Sequence, residues 1–152
     1  MSGGSVEGGS VERGLAVRAF RPEDRDALIA LWTAGGLTVP WNDPVSDIAL
    51  AMSRPNSTIL VGTEDGRPVA SVMVGYDGHR GWFYYLAVDA ACRRRGHGRR
   101  MVEAAEAWLT EAGMPKAMLM VRDSNHAVLA FYERLGYARS DTIVMQKWLK
   151  TS

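Results

Sequence analysis

A single cysteine, Cys92, stands among 152 residues, so no internal disulfide can form, and no Cys/His group has zinc spacing. An excess of one charge is also missing. The 18 basic and 17 acidic residues leave a net +1, which excludes a global field that would gather nucleic acid or an anionic membrane. No apolar run approaches the ~18 residues of a membrane helix. These absences make a reducing cytoplasm the simplest location, with no metal, nucleic acid or membrane expected. What is present is ordinary for one globular domain: 47% hydrophobic and 23% charged residues. Residues 1–14, MSGGSVEGGSVERG, have almost nothing to bury and are read as a flexible Gly/Ser-rich tail. Residues 15–152 are expected to form a single domain.

Periodicity and punctuation alternate from Leu15 onward. Leu15 to Phe20 reads as a short strand, and Arg21-Pro22-Glu23-Asp24 opens a helix with Leu28, Leu31 and Trp32 at helical spacing. A second helix starts at Asp43-Pro44, with Asp43 as its cap and Val45, Ile48, Ala49 and Met52 as its apolar face. Thr58–Glu64 and Pro68–Tyr76 are strands joined by the hairpin signal Asp65-Gly66. The run from Trp82 to Val88 has the highest strand propensity of the chain. A long helix follows with Met101, Val102, Ala105, Trp108, Leu109 and Ala112 as its stripe. Lys116–Val121 is a further strand, Asn125 and its neighbours cap a helix through Leu135, and Thr142–Leu149 is a last strand. The order β-α-α-β-β-β-α-β-α-β predicts an α/β (α+β) domain, one mixed sheet flanked by helices.

Chemistry concentrates in Leu86 to Arg100, LAVDAACRRRGHGRR. A strand ends, a glycine-rich bend follows, and a helix begins. The helix's first N–H groups lack partners within it, its dipole is positive at that end, and glycine lets a ligand approach the backbone closely. Five of the 18 basic residues crowd this turn (Arg93, Arg94, Arg95, Arg99 and Arg100). The combination fits a diphosphate-sized anion. A Walker loop is excluded by the missing Gly-Lys-Ser/Thr. A dinucleotide fingerprint is excluded by the spacing, which here is R-x-x-G-x-G through Arg93, Gly96 and Gly98, in mid-chain. By itself that spacing also fits a solvated basic turn.

It is not by itself. LAVDAACRRRGHG resembles the coenzyme A turn of the GNAT acetyltransferases, and NHAVLAFYERLGY, from Asn125 to Tyr137, resembles their second hallmark. Pro40 to Pro44 and Gly75 to Gly81 are similar to the YpeA subgroup of small bacterial members. The resemblance implies the GNAT fold, a mixed and mostly antiparallel sheet splayed at a cofactor slot. It implies acetyl-CoA as acyl donor and an amine acceptor, either a small molecule or a peptide or protein amine. A homodimer is the family's habit, although no sequence feature carries it. The loop amides from Arg94 through Arg95, Gly96, His97 and Gly98 to Arg99 would cradle the pyrophosphate beside Arg93. Leu86, Ala87 and Val88 would pair with the pantetheine arm, with the Leu86 amide as the oxyanion donor. Asn125 would hydrogen-bond the arm, and Tyr132 would protonate the departing thiolate.

One departure stands out. Several relatives carry a glutamate base on the strand leading to Leu86, whereas Trp82-Phe83-Tyr84-Tyr85 has no carboxylate. Asp77, His79, Asp43 or a water held by Tyr84 remain candidates for the base. The missing glutamate also leaves open a non-catalytic acyl-CoA-binding module. Cys92 is expected to be packing, and His97 a loop residue.

Overall fold

Asp65 and Gly66 close a hairpin because both take the left-handed backbone of a tight primed turn, at φ 51° and 78°. The strands they join are β2 (Ser57–Glu64) and β3 (Arg67–Tyr76). The computed structural model describes residues 14–150. It divides into two compact units, one up to Met120 and one from Val121 onward. The tail expected over residues 1–14 lies, apart from Gly14, outside the described residues.

In the first unit, β1 (Ala16–Ala19), β2, β3, β4 (Gly81–Val88) and β5 (Ala117–Met118) form one sheet in that order. The first four are antiparallel, and β5 joins β4 in parallel. One face carries α1 (Arg25–Ala34) and α2 (Pro44–Met52). Leu28, Trp32, Ile48 and Ala51 from these helices bury against Ile59 and Val61 of β2 and Ala87 of β4. Of the face expected for α2 only Ile48 is inward, with Val45, Ala49 and Met52 exposed. The opposite face carries α3 (His97–Glu111); of its expected stripe Met101, Val102, Ala105 and Leu109 are buried, Trp108 is half-buried, and Ala112, just past the helix, is exposed. Helix and sheet meet closely there. A Cβ at Gly62 would stand 2.9 Å from Met101 Sδ, and one at Gly81 would stand 2.4 Å from Leu109 Cδ1. β3, covered on both faces, is accordingly apolar without alternation, with Val69, Ala70, Val72 and Val74 inaccessible.

Three expectations need correction. The helix expected from Pro22 begins as a single 3-10 turn, Pro22–Asp24, and becomes α-helical only at Arg25. Asp24 is the reason: it is buried, pairs with Arg18 at 2.7 Å and accepts the Arg21 N–H at 2.8 Å. Lys116–Val121 shrinks to the two residues of β5. In the second unit, α4 (His126–Arg134) forms as expected, capped by Asn125, which accepts the Val128 N–H at 3.3 Å. Thr142–Leu149, however, is in no ladder among the described residues, and Ile143, Met145 and Leu149 are 85%, 90% and 91% exposed. Apolar alternation supplies strand propensity, but a strand exists only where a partner edge takes its hydrogen bonds. No helix among the described residues is long and apolar enough to cross a membrane.

Candidate active site

Leu86, Ala87 and Val88 end β4 at a β-bulge. Ser71 of β3 faces Ala87 while Met73 faces Tyr84, so Tyr85 and Leu86 together oppose Val72. Regular alternation from Phe83 would place Tyr85 on the α3 face; the extra residue turns it toward α1 instead. Tyr85 adopts φ 53°, a left-handed backbone rare for an aromatic residue and costing roughly 1–3 kcal/mol.

Three contacts hold it there, one of them tied in turn to Trp32. Its ring stacks on Trp32 at 3.9 Å with an 11° interplanar angle. The Ser71 hydroxyl donates to the Tyr85 carbonyl at 3.0 Å and accepts the Trp32 indole N–H at 2.8 Å. The Tyr85 hydroxyl donates to Asp47 Oδ2 of α2 at 2.7 Å. Burial and that acceptor push the Tyr85 phenol well above its ordinary range, so it stays a neutral donor. The edge of β4 that faces β5 is paired only at Gly81 and Trp82. From Tyr84 to Val88 that edge has no ladder partner among the described residues. Leu86 therefore lies on a stretch of β4 whose outer edge is open among the described residues.

Downstream, Asp89 caps a turn at Ala90–Cys92, and the chain reaches α3 through two left-handed residues, Arg94 at φ 67° and Gly96 at 78°. The first helical bond runs from Arg100 N–H to the Gly96 carbonyl at 3.0 Å. The amides of His97, Gly98 and Arg99 therefore precede the helical ladder and point out of the N-terminus. A recess of about 220 Å³ opens there, lined by Arg95, Gly96, His97, Arg99 and Arg100 among others.

Glu64, at the end of β2, braces this bend from below. Its Oε2 stands 2.6 Å from His97 Nε2, and its two oxygens accept from Arg95 Nη1 at 2.9 and 2.8 Å. The Cys92 thiol contacts its Oε1 at 3.5 Å. His97 first, then Arg95, hold the Glu64 carboxyl down at about 2, against its ordinary 4.5. Arg95 is thus drawn to Glu64 through its Nη1. His97 is the first residue of α3 and is buried. Cys92 is buried and free, and burial raises its thiol pKa, which makes it packing. Arg93 and Arg94 are exposed.

Asn125 and Tyr132 lie in the second unit. Asn125 Oδ1 is occupied by the α4 cap, leaving its side-chain amide to donate. Tyr132 is buried and makes edge contacts with Phe131 and Tyr137, at 5.0 and 5.6 Å between ring centres. Burial pushes its phenol up to about 12.

Of the candidates for a base, Asp43 accepts from Val45 N–H at 3.2 Å and the Ser46 hydroxyl at 2.8 Å, as the cap of α2. Asp77 accepts the His79 and Arg80 amides at 2.8 Å each, which lowers its pKa. Both hold turns. His79 sits in the second turn, and Tyr84 is 44% exposed. Among the described residues no cluster of His, Cys, Asp and Glu is arranged to hold a metal ion. Sequence reasoning missed Glu64 and the Trp32–Ser71–Tyr85–Asp47 set, because each joins residues 14 to 39 positions apart and carries no local motif.

The chain matches the model of the Acetyltransferase (GNAT) family over residues 20–137. An acetyltransferase of Pectobacterium atrosepticum is 42% identical over 135 residues, covering 89% of this chain and 96% of that protein. One from Yersinia pestis is 41% identical with the same coverage. Among solved structures, glucosamine-6-phosphate N-acetyltransferase from Arabidopsis thaliana shares the fold with a TM-score of 0.70 at 22% identity, over 90% of this chain and 99% of that one. An aminoglycoside N-acetyltransferase in complex with CoA does so with a TM-score of 0.76 at 12% identity, over 90% and 95%. Five mixed, mostly antiparallel strands and four α-helices agree with these likenesses. The chain belongs to the GNAT family of acetyltransferases, whose members use acetyl-CoA.

Proposed function

We propose that this chain is an N-acetyltransferase that moves an acetyl group from acetyl-CoA directly to a primary amine, in the cytoplasm and without a metal. Residues 15–152 are read as one catalytic domain, because the family match runs across both units. The likeness of the Pro40–Pro44 and Gly75–Gly81 segments supports reading it as a YpeA-like member.

The observation that carries the reading is the pair of openings in the first unit. A helix N-terminus preceded by two left-handed residues suits a diphosphate, and an unpaired β4 edge suits an extended amide-bearing arm. Acetyl-CoA carries both groups and supplies the acetyl as a thioester. Arg93 and the amides from Arg94 to Arg99 hold the diphosphate. The backbone from Leu86 to Val88 pairs with the arm, and Asn125 donates to it.

The Leu86 amide, set at the bulge, stabilises the negative charge that develops on the acetyl oxygen. Tyr132, its pKa near 12, keeps its proton at working pH and gives it to the leaving sulfur. An alkyl amine with a pKa near 10.4 in water must lose its proton before attack. With Asp43 and Asp77 engaged in turns, His79 or a water held by Tyr84 best suits that task.

The test is direct. Acetyl-CoA raises the melting temperature, and free thiol appears when an accepted amine is added. Failure of acetyl-CoA to bind would remove the proposal.

A further inference from the structure

The bulge that sets Leu86 is braced by a carboxylate that the transfer chemistry leaves unused. The Tyr85 ring stacks on Trp32, and its hydroxyl reaches across to α2 and donates to Asp47 Oδ2 at 2.7 Å. The other oxygen, Oδ1, has no protein donor among the described residues, and no Lys or Arg pairs with Asp47. This differs from the other inward carboxylates of the unit. Asp24 is answered by Arg18 and Glu64 by Arg95. Asp47 is half-buried in the first turn of α2, and the donor to its Oδ2, the Tyr85 hydroxyl, carries no charge. A partly desolvated anion without a counter-ion attracts a cation more strongly than an exposed one does.

Its place narrows which cation. Tyr85 immediately precedes Leu86, so the carboxylate stands one tyrosine side chain and one hydrogen bond away from the oxyanion amide. The position lies on the α1 and α2 face of the sheet, whereas the diphosphate turn adjoins α3. A cation held there enters from the side opposite the donor's charged end.

We propose that Asp47, fixed by Tyr85, is the docking point for a positive charge on the acceptor, so that acceptors are cationic amines. This rests on the acetyl-transfer reading above. Asp47 binds the charge through Oδ1, Tyr85 positions Asp47, and Trp32 and Ser71 position Tyr85. Asp47 takes no proton in this account; it sets affinity and orientation.

The experiment uses the full chain with acetyl-CoA and putrescine, spermidine, kanamycin and a lysine-containing peptide as probes, with thiol release as the readout. Asp47→Asn keeps the shape and an oxygen that accepts from Tyr85 but removes the charge. For each accepted amine, KM rises about tenfold or more while kcat changes much less, the signature of lost binding. The decline of kcat/KM with added salt, expected for the wild type, flattens in the variant. A loss of packing alone would not change the salt slope. Tyr85→Phe keeps the stacked ring, releases Asp47 and raises KM in the same direction, which serves if Asp47→Asn folds poorly.

KM and salt slope unchanged in both variants would overturn the proposal. So would acetyl-CoA binding to the wild type with none of the four amines acetylated. Absence of acetyl-CoA binding would instead strike the acetyl-transfer reading itself.

Discussion

Replacing Ser71 with alanine removes one oxygen and leaves two polar groups without their partner. The Trp32 indole N–H, on a side chain with no exposure, loses its acceptor at 2.8 Å. The Tyr85 carbonyl at the bulge loses its donor at 3.0 Å. A stranded buried donor costs about 1–3 kcal/mol, and a lost neutral hydrogen bond about 0.5–1.5 kcal/mol. The cavity left by one oxygen is negligible, so the change is expected to destabilise the chain by about 2–4 kcal/mol. For a chain of this length that corresponds to a fall in melting temperature of roughly 5–12 °C.

Because Ser71 acts on the strained φ of Tyr85, the same variant also loosens the β4 edge and weakens CoA binding several-fold. Urea unfolding and calorimetric titration with CoA read the two effects. A double-mutant cycle with Trp32→Phe isolates the indole–hydroxyl term, which should couple by about 1 kcal/mol or more. A melting temperature within about 2 °C of the wild type, with CoA affinity unchanged, would refute the view that this hydroxyl ties helix, sheet and bulge together.

Tyr132→Phe should lower kcat at least about tenfold while leaving the Kd for CoA within about threefold, measured by stopped-flow thiol release and titration. Glu64→Gln should flatten the acid branch of stability. The native Glu64 carboxyl sits at about 2 instead of 4.5, so its contribution is complete above pH 4.5 and is lost as pH falls toward 2. Urea midpoints stepped through that window, compared between wild type and variant, check this. Gly81→Ala should destabilise by about 1–3 kcal/mol, because its new Cβ would lie 2.4–2.9 Å from Leu109 Cδ1, Cδ2 and Cγ in a filled core. Equal melting curves would show that Leu109 moves aside freely.

Local signals were readable in the sequence where neighbouring residues decide the structure. Asp65-Gly66 is a turn, Asp43 and Asn125 are caps, and the stripe from Met101 to Leu109 faces the sheet. Each depends on residues within one or two turns of chain. The arginine-glycine bend was legible for the same reason, since its left-handed Gly96 and the α3 start lie in one segment. Long-range partners were not. Nothing around Glu64 announces that its carboxylate will meet His97 and Arg95, 33 and 31 residues later. The bulge at Tyr85 was hidden because an aromatic run reads as regular strand, and only the register against β3 reveals the extra residue. Thr142–Leu149 erred the other way, with strand propensity present and a paired edge absent.

The claim that the bend between β4 and α3 grips the diphosphate of coenzyme A meets its most direct test in hydrogen–deuterium exchange of the full chain with and without CoA. The account predicts slowed exchange at the amides of Gly96, His97, Gly98 and Arg99, with little change at Arg100, whose N–H is already bonded to the Gly96 carbonyl. Saturating CoA that leaves those four amides unchanged, or protects a different segment in their place, would contradict it.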